Sequence, residues 1–333
     1  MRRAQADPLD GVLALDKPLG MSSNQALQTA RRMLQARKAG HTGTLDPLAS
    51  GLLPLCFGEA TKFSADLLDA DKQYEARLHL GVTTTTADSE GEVLEERPVA
   101  IDPAAFEAVL ARLRGPQLQV PPMHSALKRE GRPLYELARA GISVERAARP
   151  VVIHRLELLH WDPVQPCVLV DCSKGTYVRV LAQDIGAALG CGAHLAGLRR
   201  TRVGHLHLGP AVTLEALAAL DLGGRRALLL APDTLVGSLP RVDLDAPASA
   251  RFAHGQRLAA GGAAPAARVR VYGAGGRLLG LARCQDGWLE ALRLVAQEEP
   301  NETDASADGS TQGRGIHDAE ITRQDNAPLH QET

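Results

Sequence analysis

The stretch Gly40-His41-Thr42-Gly43-Thr44-Leu45-Asp46-Pro47-Leu48-Ala49-Ser50-Gly51 reads as a loop built to present one carboxylate. Gly40, Gly43 and Gly51 permit left-handed dihedrals or the close approach of another backbone. Pro47 drives Asp46 out of the α region and stiffens the exit of the loop. Leu45, Leu48, Leu52 and Leu53 can wall the carboxylate off from water. The same residues also fit a plain turn in which Asp46 makes an Asx bond, and local chemistry alone leaves both readings open.

Upstream of the loop, residues 11–15 form a short apolar run that predicts a buried strand, stopped by Lys17-Pro18-Leu19-Gly20. Ser22 or Ser23 then caps a helix with Leu27, Ala30 and Leu34 on one face. Downstream, a helix is predicted near residues 59–68. Residues 72–80 alternate, with Tyr74, Ala76, Leu78 and Leu80 on one face and Glu75, Arg77 and His79 on the other, which is the pattern of a half-buried strand. Asp102 and Pro103 open a helix as N-cap and first helical residue, with Phe106, Val109, Leu110 and Leu113 as its stripe. Strands are predicted at residues 151–159 and 167–172, and a helix at residues 178–189. Strands and helices do not alternate regularly, so the expected fold class is α+β, a mixed and largely antiparallel sheet flanked by helices.

After Pro240 the texture changes to short strand-like runs around Gly273-Ala274-Gly275-Gly276, which predicts a small β-rich domain. The expected organisation is a catalytic domain over residues 1–240, a second domain over residues 241–295, and a disordered acidic tail over residues 296–333. That tail holds two basic and nine acidic residues, a net of −7, and few apolar ones. The remaining 295 residues carry 35 basic and 30 acidic residues, so a whole-chain charge of −2 conceals a body of +5. A mildly basic body suits a polyanionic partner.

Several function classes find no support. No apolar run reaches the roughly 20 residues that span a bilayer, and the start lacks the core of a signal peptide, so a cytoplasmic protein is expected. The five cysteines are scattered, without a Cys-x-x-Cys pair, which argues against a disulfide framework or a structural zinc site. There is no phosphate-binding Gly-x-x-x-x-Gly-Lys-Ser/Thr run and no His-Glu-x-x-His.

The Asp46 loop, with Gly58-Glu59-Ala60-Thr61-Lys62 behind it, resembles the signature of the TruB family of pseudouridine synthases. Four further blocks resemble that family in the same order. They are residues 15–24 (Leu-Asp-Lys-Pro-Leu-Gly-Met-Ser-Ser-Asn), residues 72–76 (Lys-Gln-Tyr-Glu-Ala), residues 119–128 with 131–139, and the pair Ser173-Lys174-Gly175-Thr176-Tyr177-Val178-Arg179 and residues 198–204. The resemblance implies a pseudouridine synthase fold ending in a PUA-like RNA-binding domain. The implied activity is isomerisation of uridine at position 55 in the T loop of transfer RNA, without cofactor or metal, by a monomer. It further implies Asp46 as the essential aspartate, Tyr74 as the tyrosine against the target base, and Arg179 as the partner of the aspartate. Leu198 is implied as a wall of the base pocket, His41 as a contact to the RNA loop, and Lys17 and Gly43 as substrate-binding positions.

The chemistry fits these types. An ionised carboxylate acts at the sugar as nucleophile or as base, and a nearby arginine favours that ionised form where an apolar wall alone would not. The target base must be flipped out of its loop, and splayed bases are read by stacking and polar contacts. Basic residues concentrate at residues 112–155 (nine, with three acidic) and 174–202 (five, with one acidic), which predicts a phosphate-contacting surface. Three rival readings are a guide-RNA-dependent relative, a transfer-RNA-binding folding chaperone and a glycoside hydrolase. The last pairs two carboxylates across the bond, and these motifs offer one.

The charge split generates a prediction. A −7 tail competes with phosphates for the +5 body, and salt screens that competition. Cutting after Val295 is expected to tighten RNA binding at low ionic strength, with the gain vanishing toward physiological salt. Superimposable filter-binding curves for the two proteins at low salt would refute it.

Overall fold

The computed structural model describes residues 9–296 apart from 126, 130 and 263. Its main sheet is built from β1 (Gly11–Lys17), β2 (Ala39–His41), β3 (Ala49–Phe57), β4 (Lys72–Leu80), β5 (Gly115–Gln119), β6 (Arg149–His160), β7 (Cys167–Cys172), β8 (Ala193–Val203) and β9 (Val212–Thr213). The strands lie in the order β9-β1-β3-β8-β4-β7-β6-β5, with β2 added to β3 and Leu206–His207 to β8, ten strands in all. The β1/β9 and β3/β8 pairs are parallel and the other pairs antiparallel. The sheet is therefore mixed and largely antiparallel, as the irregular alternation of elements predicts.

Both faces of β1 and β3 are covered, which is why their sequences are continuous apolar runs rather than alternating ones. Leu13, Leu15, Leu53, Leu55 and Phe57 join a core with the helices α1 (Ser23–Met33), α3 (Pro103–Arg112) and α4 (Val178–Leu189). Val12, Ala14, Leu52 and Cys56 face the other way, against Phe63, Val203, Leu235 and Val236. Helices α1 and α3 begin where their caps predict. Ser22 accepts from the Gln25 amide while the Gln25 side chain accepts from the Ser22 amide, a reciprocal capping box. Asp102 accepts from the Ala105 amide ahead of Pro103.

The predicted helix near residues 59–68 is instead a 3-10 segment, Gly58–Phe63, followed by one α turn, α2 (Ser64–Leu68). The Thr61 hydroxyl bonds back to the Gly58 carbonyl and favours the tighter i to i+3 winding. In β4, Tyr74, Ala76, Leu78 and Leu80 are buried as the alternation requires. Lys72 shares their side, because its ammonium finds the Leu68 and Ala70 carbonyls at the end of α2.

Beyond Pro240 a five-stranded sheet forms from Arg241–Asp243, Leu258–Ala259, Ala266–Tyr272, Leu278–Gln285 and Trp288–Leu294. It has its own core of Phe252, Leu258, Val269, Val271, Leu279 and Leu289. Phe252 comes from a helix, Ala246–Ala253, that the strand-like texture of the region did not predict, although Asp245 caps it and Pro247 sits in its first turn. This region also reaches back: Leu281 packs with Val12 and Phe63, Lys62 donates to the Leu294 carbonyl at 3.0 Å, and Arg268 pairs with Asp66 at 2.6 Å. Residues 9–295 accordingly form one compact unit. We retain the division at residue 240 as a proposal about separate cores. The expected disordered tail falls, from residue 297 on, outside the described residues.

Gly51 sets the tightest backbone approach in the main sheet. It has φ +100°, and a β-carbon there would collide with the backbone of Arg200 on the neighbouring β8. Gly20, at φ +75°, faces open space. Gly20→Ala should cost about 1 kcal/mol, the left-handed penalty alone. Gly51→Ala should cost about 3 kcal/mol or more, since strain and collision add. Equal losses in urea unfolding would refute this reading of Gly51.

Candidate active site

The Asp46 loop joins β2 to β3 and is pinned on both sides. Ser23, at the start of α1, accepts from the Leu45 amide at 2.7 Å and donates to the Leu45 carbonyl at 2.9 Å. The Gly20 amide donates to the Pro47 carbonyl at 2.8 Å, and the Ala49 amide to the Asp46 carbonyl at 3.0 Å. The early serine-capped helix therefore fixes the height at which the carboxylate stands.

Arg179, second residue of α4, meets it. Its Nη2 lies 3.1 Å from Asp46 Oδ2 and its Nη1 lies 3.3 Å from Asp88 Oδ2. The His124 carbonyl accepts from Nη2 at 2.7 Å. The two acids differ in exposure: the Asp46 side chain is 42 % exposed and Asp88 only 3 %. Asp88 is held from behind by the Thr86 hydroxyl and the Glu90 amide. Gln119 fixes the entry to α4 by accepting from the Tyr177 amide at 2.7 Å and donating to the Tyr177 carbonyl at 3.2 Å. Burial raises the pKa of Asp46, Arg179 pulls it back, and Asp88 pushes it up again.

Asp46 and Arg179 stand between two cavities. One, of about 290 Å³, is lined by Gly43, Leu68, Lys72, Tyr74, Leu198 and Arg200 among others. The second, of about 540 Å³, is lined by Asn24, His41, Asp88, Glu90, His124 and Tyr135 among others. Of the residues singled out in the sequence, the fold thus gathers Asp46, Tyr74, Arg179, Leu198 and Gly43 on the smaller cavity. His41 joins Asp46 on the larger one. Its Nδ1 is buried without a hydrogen-bond partner among the described residues, and burial, with Arg200 nearby, lowers its pKa.

Lys17 is not brought to either cavity wall. It is fully buried, its ammonium donates to the Pro18 and Met21 carbonyls, and burial lowers its pKa to about 8. It ties down the turn after β1 and adds positive charge beneath Asp46.

Two residues of the site escaped the sequence reading. Asp88 lies in the polar run Thr83-Thr84-Thr85-Thr86-Ala87-Asp88, which reads as an ordinary turn. Arg200 stands inside a quoted block, but its place depends on pairing: β8 sets it directly opposite Tyr74 on β4 and opposite Gly51 on β3. No local pattern announces either contact.

Comparison with known proteins agrees with this architecture. The profile described as TruB family pseudouridylate synthase, N-terminal domain, matches residues 31–178. The tRNA pseudouridylate synthase B C-terminal domain matches residues 179–230, and the pseudouridine synthase II TruB C-terminal profile matches residues 240–295. The chain is 60% identical over 293 residues to tRNA pseudouridine synthase B of Burkholderia mallei (strain NCTC 10247), covering 86% of this chain and 97% of that protein. It is 60% identical over 298 residues to tRNA pseudouridine synthase B of Ralstonia pickettii (strain 12J), covering 86% and 94%. Among solved structures it is similar to a chain of the archaeal box H/ACA sRNP Nop10-Cbf5 complex, with TM-score 0.64, 26% identity and coverage of 86% and 85%. A chain of a Cbf5-Nop10-Gar1 complex gives TM-score 0.67, 26% identity and coverage of 86% and 84%.

The electrostatics of the clamp can be tested directly. Asp88→Asn removes a like charge and frees Arg179 for Asp46, so the Asp46 carboxyl should titrate at lower pH. Arg179→Met removes the stabilising cation, so the same carboxyl should titrate at higher pH. Carbon-13 NMR titration of the Asp46 carboxyl reads both, and shifts of the same sign would contradict the arrangement.

Proposed function

We propose, from the premise that the chain belongs to the TruB family of pseudouridine synthases, that it isomerises uridine to pseudouridine in transfer RNA, at position 55 of the T loop. The observation that carries this reading is Asp46, the carboxylate among the lining residues of the smaller cavity, held by Arg179 at the edge of walls formed by Tyr74 and Leu198.

The reaction breaks the bond from sugar C1′ to uracil N1 and makes one from C1′ to C5. C5 loses a proton and N1 gains one, so electrons balance without any redox partner. Asp46, ionised, acts at the sugar as nucleophile or as base. The flipped uracil lies against Tyr74 and Leu198, and the Tyr74 oxygen takes the C5 proton. Arg179 keeps the carboxylate charged in a partly dry site. His41, at the second cavity, is proposed to face the RNA loop, and Gly43 to let the base approach its loop. Lys17, buried beneath, is proposed to support the site through charge rather than touch the substrate.

A glycoside hydrolase needs two carboxylates that reach the substrate. The fold does supply further acids: Asp88, buried behind Arg179 and serving the arginine, and Glu90, which lines the larger cavity and not the one walled by Tyr74 and Leu198. The higher identity to the proteins named for transfer RNA, against 26% to the H/ACA complexes, favours a stand-alone enzyme over a guide-dependent one. The five-stranded C-terminal sheet is proposed as the PUA-like RNA-binding part, and a cytoplasmic monomer as the working form. Among the described residues, no helix is long and apolar enough to cross a membrane.

Release of tritium from C5-labelled uridine in an unmodified transfer RNA tests the proposal, with the purified protein alone. Asp46→Asn should abolish release while leaving RNA binding intact. Tyr74→Phe should slow single turnover by about 100-fold or more, the usual worth of a positioned base, with little change in affinity. Substantial turnover by Asp46→Asn would falsify the assignment.

A further inference from the structure

Arg200 is buried to 1 % exposure in the middle of the main sheet. Its Nε donates to the Leu52 carbonyl at 2.7 Å and its Nη2 to the Gly43 carbonyl at 3.3 Å. Among the described residues no carboxylate pairs with it, and burial lowers its pKa. A buried, unpaired guanidinium is a costly way to bond two carbonyls, so the charge calls for a use. Its neighbour supplies one. Arg200 and Tyr74 are directly opposed across β8 and β4, which sets the positive charge of the guanidinium beside the phenol. Both side chains line the smaller cavity.

We infer that Arg200 is the positioning residue for Tyr74, aiming the phenolic oxygen into the base cavity as the acceptor of the C5 proton. This rests on the pseudouridine synthase reading above. In the step concerned, the C5–H bond breaks and the proton passes to the Tyr74 oxygen. The electron pair restores the C5–C6 double bond of the ring, and N1 takes a proton from solvent. A guanidinium beside the phenolic oxygen can steady it while leaving a lone pair free toward the cavity. Its charge also works against burial, the largest cause of a Tyr74 pKa that stands above the usual phenol value. The other charged or titratable groups near the phenol or on the same cavity are Asp46 from its loop, Cys172 from β7, Lys72 from β4 itself, and Tyr177 and Arg179 at the start of α4. Asp46 and Cys172 disfavour the phenolate. Lys72 turns its ammonium to the Leu68 and Ala70 carbonyls at the end of α2, and Arg179 is paired with Asp46 and Asp88, whereas Arg200 lies directly opposite Tyr74. Arg200 is the cation placed to favour it.

A second consequence ties the two halves of the site together. The Gly43 carbonyl that accepts from Arg200 belongs to the Asp46 loop, so one guanidinium sets the spacing between the carboxylate and the phenol.

The test uses the full-length protein and an unmodified transfer RNA transcript, made with either protium or deuterium at uracil C5. Single-turnover rates of wild type, Arg200→Lys and Arg200→Met are compared from neutral to alkaline pH, beside melting curves. Arg200→Lys keeps a charge and should slow turnover by about 10-fold, and Arg200→Met by about 100-fold or more. Deuterium should slow the variants more than it slows wild type, because the C5 step becomes limiting. The rise of rate with pH should move to higher pH in Arg200→Met, where the phenolate has lost its cation. Equal slowing of both substrates, with an unmoved pH profile, would assign Arg200 to packing and overturn the inference. If Arg200→Met does not fold, the isotope effect in Arg200→Lys decides alone. Failure of wild type to form pseudouridine would overturn the functional proposal instead, which keeps the two failures apart.

Discussion

The contact on which the site depends is between two backbones: Gly51 of β3 lying flush against Arg200 of β8. Any side chain at residue 51 would force the strands apart. Because none is there, β8 enters the sheet parallel to β3 and antiparallel to β4, and three functional positions fall into line. Leu198 comes opposite Ala49 and Ala76, Arg200 comes opposite Tyr74, and the Asp46 loop emerges just above. A missing β-carbon thus places a hydrophobic wall, a cation and a phenol within one cavity.

The site is also a study in uneven burial of charge. Arg179, Arg200, Lys17 and Lys72 are all buried, whereas of the acids lining the two cavities Asp88 is buried and Asp46 and Glu90 are not. The buried cations are satisfied largely by backbone carbonyls, which accept hydrogen bonds without neutralising charge. The surplus positive field is therefore left for whatever enters the cavity. That asymmetry suits a reaction whose ring passes through electron-rich forms.

What the sequence made legible follows from how far each cause reaches. The Asp46 loop, the Ser22 and Asp102 caps and the alternation of residues 72–80 are local, and each can be read within a dozen residues. The continuous apolar runs of β1 and β3 announced burial on both faces, though not what covered them. Asp88 and Arg200 gain their meaning from partners far along the chain, Arg179 and Tyr74, across pairings that no short window contains. The same holds for Lys17, which the family resemblance implies at the substrate and the fold places underneath the site. The Ala246–Ala253 helix was hidden for the opposite reason. Its eight residues are too few, and its flanks too strand-like, for periodicity to stand out.

One feature of the fold carries a further mechanical meaning. Lys62 bonds the Leu294 carbonyl, Arg268 grips Asp66, and Leu281 enters the core behind β1. The C-terminal sheet is therefore riveted to the segment directly behind the Asp46 strand rather than strung on a tether. The distance from its outer surface to the carboxylate is fixed, like the span of a calliper. An RNA that met both ends, as proposed above, would have to match that span with its own stacked helix, so that a loop of the same sequence at another distance from the end of its stem would not fit the gauge.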